Sequence, residues 1–493
     1  MPQQDYFCGD SVRENLRGKS LRGGAFSAIS QAGTIVVSLG AIAALGRLLS
    51  PDDFGLVAIV AVFTGFASMF VDAGMSAATI QREKITKEQV SNLFWIATAL
   101  GVLVALTLAA LSPLIAWFYG DPRIVPVTLA SVVAFVLAGM TIQHQALLSR
   151  AMQFDRLTVI KVVAHTLGQG LAVLLALSMR GQPGAYWALV AAPVTRALVE
   201  MIGSWIACPW RPGPPRRGVG TKAMAGFGAN LTGFNIINYF ARQSDTLLLA
   251  KFYGTAVVGG YDRAYRLFIL PNQCINSTVQ TIAVPALSRV ASEPERYRRV
   301  FTRIVRLTLI FSMSLSAFTS VNADLVIRVM LGDRWLDYAP VLFWLALAGV
   351  GQTVAHTSGW LFASQGRGRD IFWWGVFGSG TMIVSIAASA PFGAVPLATV
   401  YSLTSTILIV PACLWWVGRR GPVSTLDIYR AAAWPAVAAA AVVVTSLLIG
   451  SFFTLTPLLD IVIRTLAAGV AILAVLIAVE GYHSPRSMAQ MLR

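Results

Sequence analysis

Long apolar runs, separated by gaps too short to fold alone, dominate this 493-residue chain. Fourteen are read, at 24–48, 54–80, 90–118, 124–149, 157–179, 184–208, 224–252, 256–288, 301–330, 338–364, 370–390, 394–417, 429–453 and 457–480. A helix needs about 20 apolar residues to cross the hydrocarbon core. The runs are too long, and alternate too little, to be barrel strands. Charged residues make up 12% of the chain, where an ordinary soluble domain carries about 25%. The expected fold is therefore an all-α polytopic membrane protein. It has about 14 transmembrane helices, arranged as two six-helix lobes plus two C-terminal helices.

The cations set a topology. Of 38 Lys and Arg, 26 fall in one alternating set of gaps and tails. That set includes Arg13, Arg17, Arg82, Lys87, Arg150, Arg156, Arg211, Arg216, Arg289, Arg296, Arg367, Arg419 and Arg493. Six occupy the opposite set: Arg47, Arg123, Arg180, Lys251, Arg328 and Arg334. Cytoplasmic loops carry the excess of Lys and Arg, so both termini are expected in the cytoplasm of a bacterial inner membrane. The net charge of +16 is thus spread along one membrane face, where it suits anionic lipid, and a nucleic-acid partner is not expected. The first apolar run is too long for a signal-peptide core and is expected to remain as helix 1.

Pro209-Trp-Arg-Pro-Gly-Pro-Pro-Arg-Arg-Gly-Val-Gly-Thr-Lys222 carries too many prolines and glycines to be helical. It divides the chain. The organisation expected is a tail (1–23), an N-lobe (24–208), a linker (209–222), a C-lobe (223–417), two further helices (418–480) and a tail (481–493). Internal symmetry accompanies that split. Arg47-Leu-Leu-Ser-Pro-Asp-Asp-Phe-Gly55 has a counterpart about 204 residues later in Lys251-Phe-Tyr-Gly-Thr-Ala-Val-Val-Gly259. Like-oriented repeats of this kind occur among transporters.

No gap can house an extramembrane active site, and the chain has no P-loop, DxD pair or HExxH. Cys8, Cys208, Cys274 and Cys413 show no metal-ligand spacing. No catalytic residue, metal ligand or cofactor is expected. Interest falls on charges inside the spans, which normally face a wet cavity or a partner. Arg196 and Glu200 share one helix face, either lining a cavity or packing as a structural pair. Arg242 and Asp245 follow Asn230, Asn235 and Asn238 on a hydrated helix. In Gly260-Tyr-Asp-Arg-Ala-Tyr-Arg266, Arg263, Arg266 and Tyr265 read as an anion-binding wall, or as arginines snorkelling from a helix end. Arg suits phosphate because its planar fork donates two parallel hydrogen bonds. Asp72 reads as a cation or proton site, or as a polar turn. Asp245 and Glu200 would orient arginines or couple an ion. His144 and His356 read as packing histidines, and Arg306 and Arg464 as snorkelling toward an interface.

Several segments resemble Wzx-type polysaccharide flippases. They are Arg47–Ala58, Phe70-Val-Asp-Ala-Gly-Met-Ser-Ala-Ala-Thr-Ile-Gln81, Asn92-Leu-Phe-Trp95, Tyr239-Phe-Ala-Arg-Gln-Ser-Asp245, Pro285-Ala-Leu-Ser-Arg289 and Gly359–Gly366. The resemblance covers about residues 20–480. It lies nearest the colanic-acid and O-antigen exporter branch of the multidrug/oligosaccharidyl-lipid/polysaccharide (MOP) superfamily. It implies a V-shaped transporter whose lobes rock. The implied substrate is an undecaprenyl-diphosphate-linked oligosaccharide, flipped for exopolysaccharide or lipopolysaccharide O-antigen biosynthesis. Membrane lipids, a polysaccharide polymerase and export machinery are the implied partners. Two alternatives stay open: a drug or cation antiporter of the same superfamily, and a membrane polysaccharide polymerase or ligase.

Overall fold

The computed structural model describes residues 16–72, 74–82, 85–216, 222–452 and 456–481, and among them there is no strand. The helices are α1 (Leu16–Leu48), α2 (Pro51–Asp72), α3 (Met75–Gln81), α4 (Lys87–Tyr119), α5 (Ile124–Ser131), α6 (Val133–Arg150), α7 (Phe154–Ser178), α8 (Trp187–Ala207) and α9 (Lys222–Arg289). They continue with α10 (Pro294–Val321), α11 (Ala323–Met330), α12 (Ala339–Ser364), α13 (Gly368–Ser389), α14 (Ala394–Leu403), α15 (Val410–Gly418), α16 (Thr425–Phe452) and α17 (Pro457–Gly481). Eleven helical segments among the described residues are long and apolar enough to cross a membrane. They fall on eleven of the runs read from the sequence. The other three runs, 24–48, 224–252 and 256–288, fall on α1 and α9. An all-helical membrane fold follows from lipid itself, which offers no partner to an exposed backbone N–H or C=O.

Ends and breaks have local causes. Thr86 and Gln89 form a reciprocal capping box at the start of α4, and Gly120 closes it in the left-handed region (φ 72°). The run read as 301–330 is interrupted at Asn322, whose amide donates to Phe318 O at 2.9 Å. Within α9 the backbone of Gly254 (φ 77°, ψ −174°) departs from helix, at an expected outward gap. A side chain would be strained there.

The chain forms two compact units, Met1–Gly259 and Gly260–Arg493. In the first, the repeated segments touch reciprocally. A Cβ at Gly55 would lie 1.7 Å from Thr255 O, and one at Gly259 would lie 1.9 Å from Pro51 O. Under the 204-residue offset, 51 and 55 correspond to 255 and 259, so each segment receives the contact it makes. Polar groups close the same corner. Asp52 accepts from Arg123 at 2.7 Å and from the Thr255 hydroxyl, and Lys251 Nζ donates to Phe118 O at 2.7 Å. Asp121, with Asp52, holds the Arg123 guanidinium well above its ordinary pKa.

The proline-rich segment after α8 is strapped to α4. Asn92 accepts from the Arg216 N–H at 2.8 Å and donates to its C=O at 2.6 Å. Trp95 Nε1 donates to Gly213 O at 2.9 Å, and Gly213 N–H donates to Ser91 Oγ at 3.0 Å. Trp210 and Cys208 join a core with Phe94 and Leu147, where burial pushes the Cys208 thiol up. His144 is fully buried and stacks on Trp205 with ring centroids 4.6 Å apart. His356 is exposed.

The second unit is built on α10, α12 and α16 around Tyr297, Phe301, Leu309, Leu361, Leu414 and Ile428. Arg464 holds Asp460 through two bonds of 2.7 and 2.8 Å and donates to Asn322 Oδ1 at 2.8 Å. Asn322 in turn donates to Ser446 at 3.2 Å. The carboxylate one helical turn away on α17 fixes the guanidinium. The cluster pins α17 to α16 and to the α10–α11 break.

Candidate functional site

In the second unit the polar wall begins where α9 leaves Gly260. Asp262 is its centre. The carboxylate accepts from Arg263 Nε at 3.1 Å and from a terminal amino group of the same side chain. It also accepts from Arg266 Nε at 3.0 Å. Two guanidiniums thus share one carboxylate, and the cluster keeps a net positive charge. The Asp262 and Arg263 side chains are 14% and 13% exposed, whereas Arg266 is 45% exposed. Among the described residues, the two terminal amino groups of Arg266 have no partner. Its outer edge therefore presents a bidentate donor to an incoming anion. Asp262 removes part of the cost of holding two partly buried cations side by side and fixes the rotamer of each.

Tyr265 is half-buried in an aromatic row, its ring 6.5 Å from Tyr261 and 6.4 Å from Phe268. Further along the helix, Asn272 accepts from Ser316 at 3.4 Å, and Asn276 donates to Asn272 O at 3.0 Å. Asn276 Oδ1 is buried without a partner among the described residues. On α12, Gln352 donates to Tyr401 and to Ser405, each at 2.9 Å. Ser405 lies in a π-helical turn, Thr404–Ile409. Turns of that kind are frequent at functional sites.

The remaining candidates lie in the first unit. Arg196 Nε donates to Glu200 at 2.8 Å on α8, with the arginine half exposed and the carboxylate 18% exposed. Arg242 is exposed while Asp245 is buried. Asp245 accepts from the N–H of Thr246 at 2.6 Å. The Asn238 side chain, with those of Asn230 and Asn235, lies outside the described residues, as do Arg13, Arg493 and Cys8. Asp72 accepts from the Ser76 N–H at 2.9 Å and from its hydroxyl at 2.5 Å, which makes it the capping group of α3.

Sequence reasoning named Glu200, which does hold Arg196, and Asp245 as orienting acids, and it missed Asp262, which holds Arg263 and Arg266. The signal was present, since Asp262 stands four residues before Arg266. It also passed over His165, whose ring nitrogen lies 2.9 Å from Ser38 Oγ.

Charged clusters held inside long apolar helices define a multi-pass membrane protein whose polar chemistry sits within its spans. Its fold is that of two solved transporters. The structure titled "Lipid II flippase MurJ, inward closed conformation" aligns with a TM-score of 0.71 over 92% of this chain and 98% of that one, at 12% identity. An inward-facing multidrug resistance MATE family transporter of the MOP superfamily aligns at 0.62, over 82% and 99%, at 13% identity. Residues 44–340 match the family described as polysaccharide biosynthesis protein, and the chain belongs to that family. Among its relatives is the lipopolysaccharide biosynthesis protein WzxC of Escherichia coli K12, 26% identical over 74% of this chain and 73% of that protein. Another is the succinoglycan biosynthesis transport protein ExoT of Rhizobium meliloti, 25% identical over 80% and 79%.

Proposed function

We propose that the protein is a flippase, not an enzyme. It carries undecaprenyl-diphosphate-linked oligosaccharide repeat units across the bacterial inner membrane by alternating access, for exopolysaccharide or O-antigen assembly. Both termini face the cytoplasm, in keeping with the charge bias of the loops. The observation that carries the reading is the Asp262–Arg263–Arg266 cluster, which leaves one guanidinium edge open on α9. A diphosphate is the group that such an edge suits. Arg263 and Arg266 engage it, with Arg242 and Arg196 as further cationic contacts and Tyr265 and Asn238 as polar ones. The names of the relatives, polysaccharide biosynthesis and transport proteins, agree with this assignment. No bond is made or broken, so the work is differential binding between two access states.

The test is extraction of lipid-linked intermediates from cells with and without the gene. Accumulation of single repeat units on the cytoplasmic leaflet, with loss of surface polymer, is expected. Repeat units that reach the outer leaflet normally but stay unpolymerised would refute the proposal in favour of a polymerase or ligase.

A further inference from the structure

The first unit contains a titratable side chain for which the cargo-binding reading has no use. His165 lies near the middle of α7 (Phe154–Ser178), deep within an apolar span. Consecutive helices α7 and α8 run antiparallel, and two close approaches fix their register. A Cβ at Gly168 would lie 3.4 Å from Arg196 Cβ, and one at Gly203 would lie 3.1 Å from Ile160 Cγ2. Residues 160 and 168 thus stand level with 203 and 196, which brings His165 between Arg196 and Glu200, within one helical turn of each. The pair next to it is the Arg196–Glu200 bridge at 2.8 Å.

Ser38 on α1 donates to Thr34 O at 2.8 Å. With its single hydroxyl proton there, the oxygen accepts in the 2.9 Å contact with His165 Nε2, the arrangement of the tautomer with hydrogen on Nε2 and the lone pair on Nδ1. Among the described residues nothing donates to Nδ1. The charged groups acting on the ring are Arg196 and Glu200, both from α8. From α1 the ring meets the Ser38 hydroxyl.

We infer that His165 is a proton-binding site that gates Arg196. A proton from water adds to Nδ1 and makes an imidazolium beside Glu200. The new cation competes with Arg196 for the carboxylate, and the Arg196 fork is released toward an anionic headgroup. Loss of the proton restores the bridge and expels the anion. This rests on the transport reading for its purpose, though the proton site stands without it.

Two measurements test the inference. The full chain, with nitrogen-15 histidine, is placed in lipid nanodiscs and its imidazole signals are followed between about pH 5 and pH 8. The signal missing from His165→Gln should titrate in the wild type, with a midpoint that moves in Glu200→Gln. A His165 signal unchanged across that range overturns the site. Export of repeat units is then followed in everted vesicles with pH clamped on both sides. Wild-type export should change by up to about tenfold per pH unit, the slope of one titrating group, and His165→Gln should be flat. An unaltered pH profile in His165→Gln overturns the gating. Should His165→Gln fail to accumulate, Ser38→Ala keeps the imidazole and should still displace the midpoint; an unmoved midpoint counts against the assigned tautomer. If cells lacking the gene do not accumulate repeat units, the transport reading fails, and the nanodisc titration still judges His165.

Discussion

Replacing Gly259 by alanine puts a methyl group 1.9 Å from Pro51 O and 2.7 Å from Gly55 N. An ordinary carbon–oxygen contact is about 3.3 Å, so the helices must part by about 1.4 Å. The obstructing atoms are backbone and cannot rotate away, which places the cost at the upper end of overpacking, about 3 kcal/mol. For a unit of this size that corresponds to a fall in Tm of about 6–12 °C. The assay is thermal unfolding of purified protein in detergent, wild type against Gly259→Ala, Gly55→Ala and the double variant. Because the contact is reciprocal, the two single variants should fall by similar amounts. The double should fall by less than their sum, since helices already separated by one methyl make room for the other. A Tm for Gly259→Ala within about 1 °C of wild type would refute the close approach. Full additivity would refute its reciprocity.

Other side chains give sharper functional readouts. Arg263→Ala should abolish export at unchanged protein level, and Arg266→Lys should restore only part of the function lost in Arg266→Ala, because lysine meets phosphate as a point charge; both are read from surface polymer beside an immunoblot. Disappearance of the folded protein would reassign Arg263 to a structural role. Arg464→Ala leaves Asp460 14% exposed and without its cation, a loss of about 3–5 kcal/mol visible as reduced Tm; Asp460→Asn with Arg464→Leu should recover most of it. Asn92→Ala removes both bonds to Arg216 and should expose the 209–216 segment to protease, with little change in Tm. Equal cleavage of wild type and variant would contradict the strap.

The helical architecture was legible because lipid imposes it: apolar length alone locates a span, and Gly254 and Pro51 mark turns that only their backbone preferences allow. The offset of 204 residues between two similar segments did not foretell that they touch, Gly55 against Thr255 and Gly259 against Pro51. Side-chain partnership was less legible. Arg242 and Asp245 sit three apart on one helix, the arginine exposed and the acid buried, whereas Asp262 takes two arginines and Asp460 takes one at four residues' distance. Spacing supplies the opportunity; burial decides which acid uses it. His165 was hidden for a different reason. Its significance comes from Ser38, more than a hundred residues earlier, and from the register of α7 on α8, and neither appears in the residues around it.

The strap on α4 also fixes a length. Arg216 is tied to Asn92, and α9 begins at Lys222, so only five residues lie between the knot and the next helix. Six extended steps reach about 20 Å, and the start of α9 can lie no farther than that from the tied residue. The chain enters its second set of spans on a short leash. A reporter inserted at 217–221 lengthens the leash and leaves the knot tied, whereas the same insertion at 211–213 undoes it. Comparing the two insertions measures how far the proposed export depends on that leash.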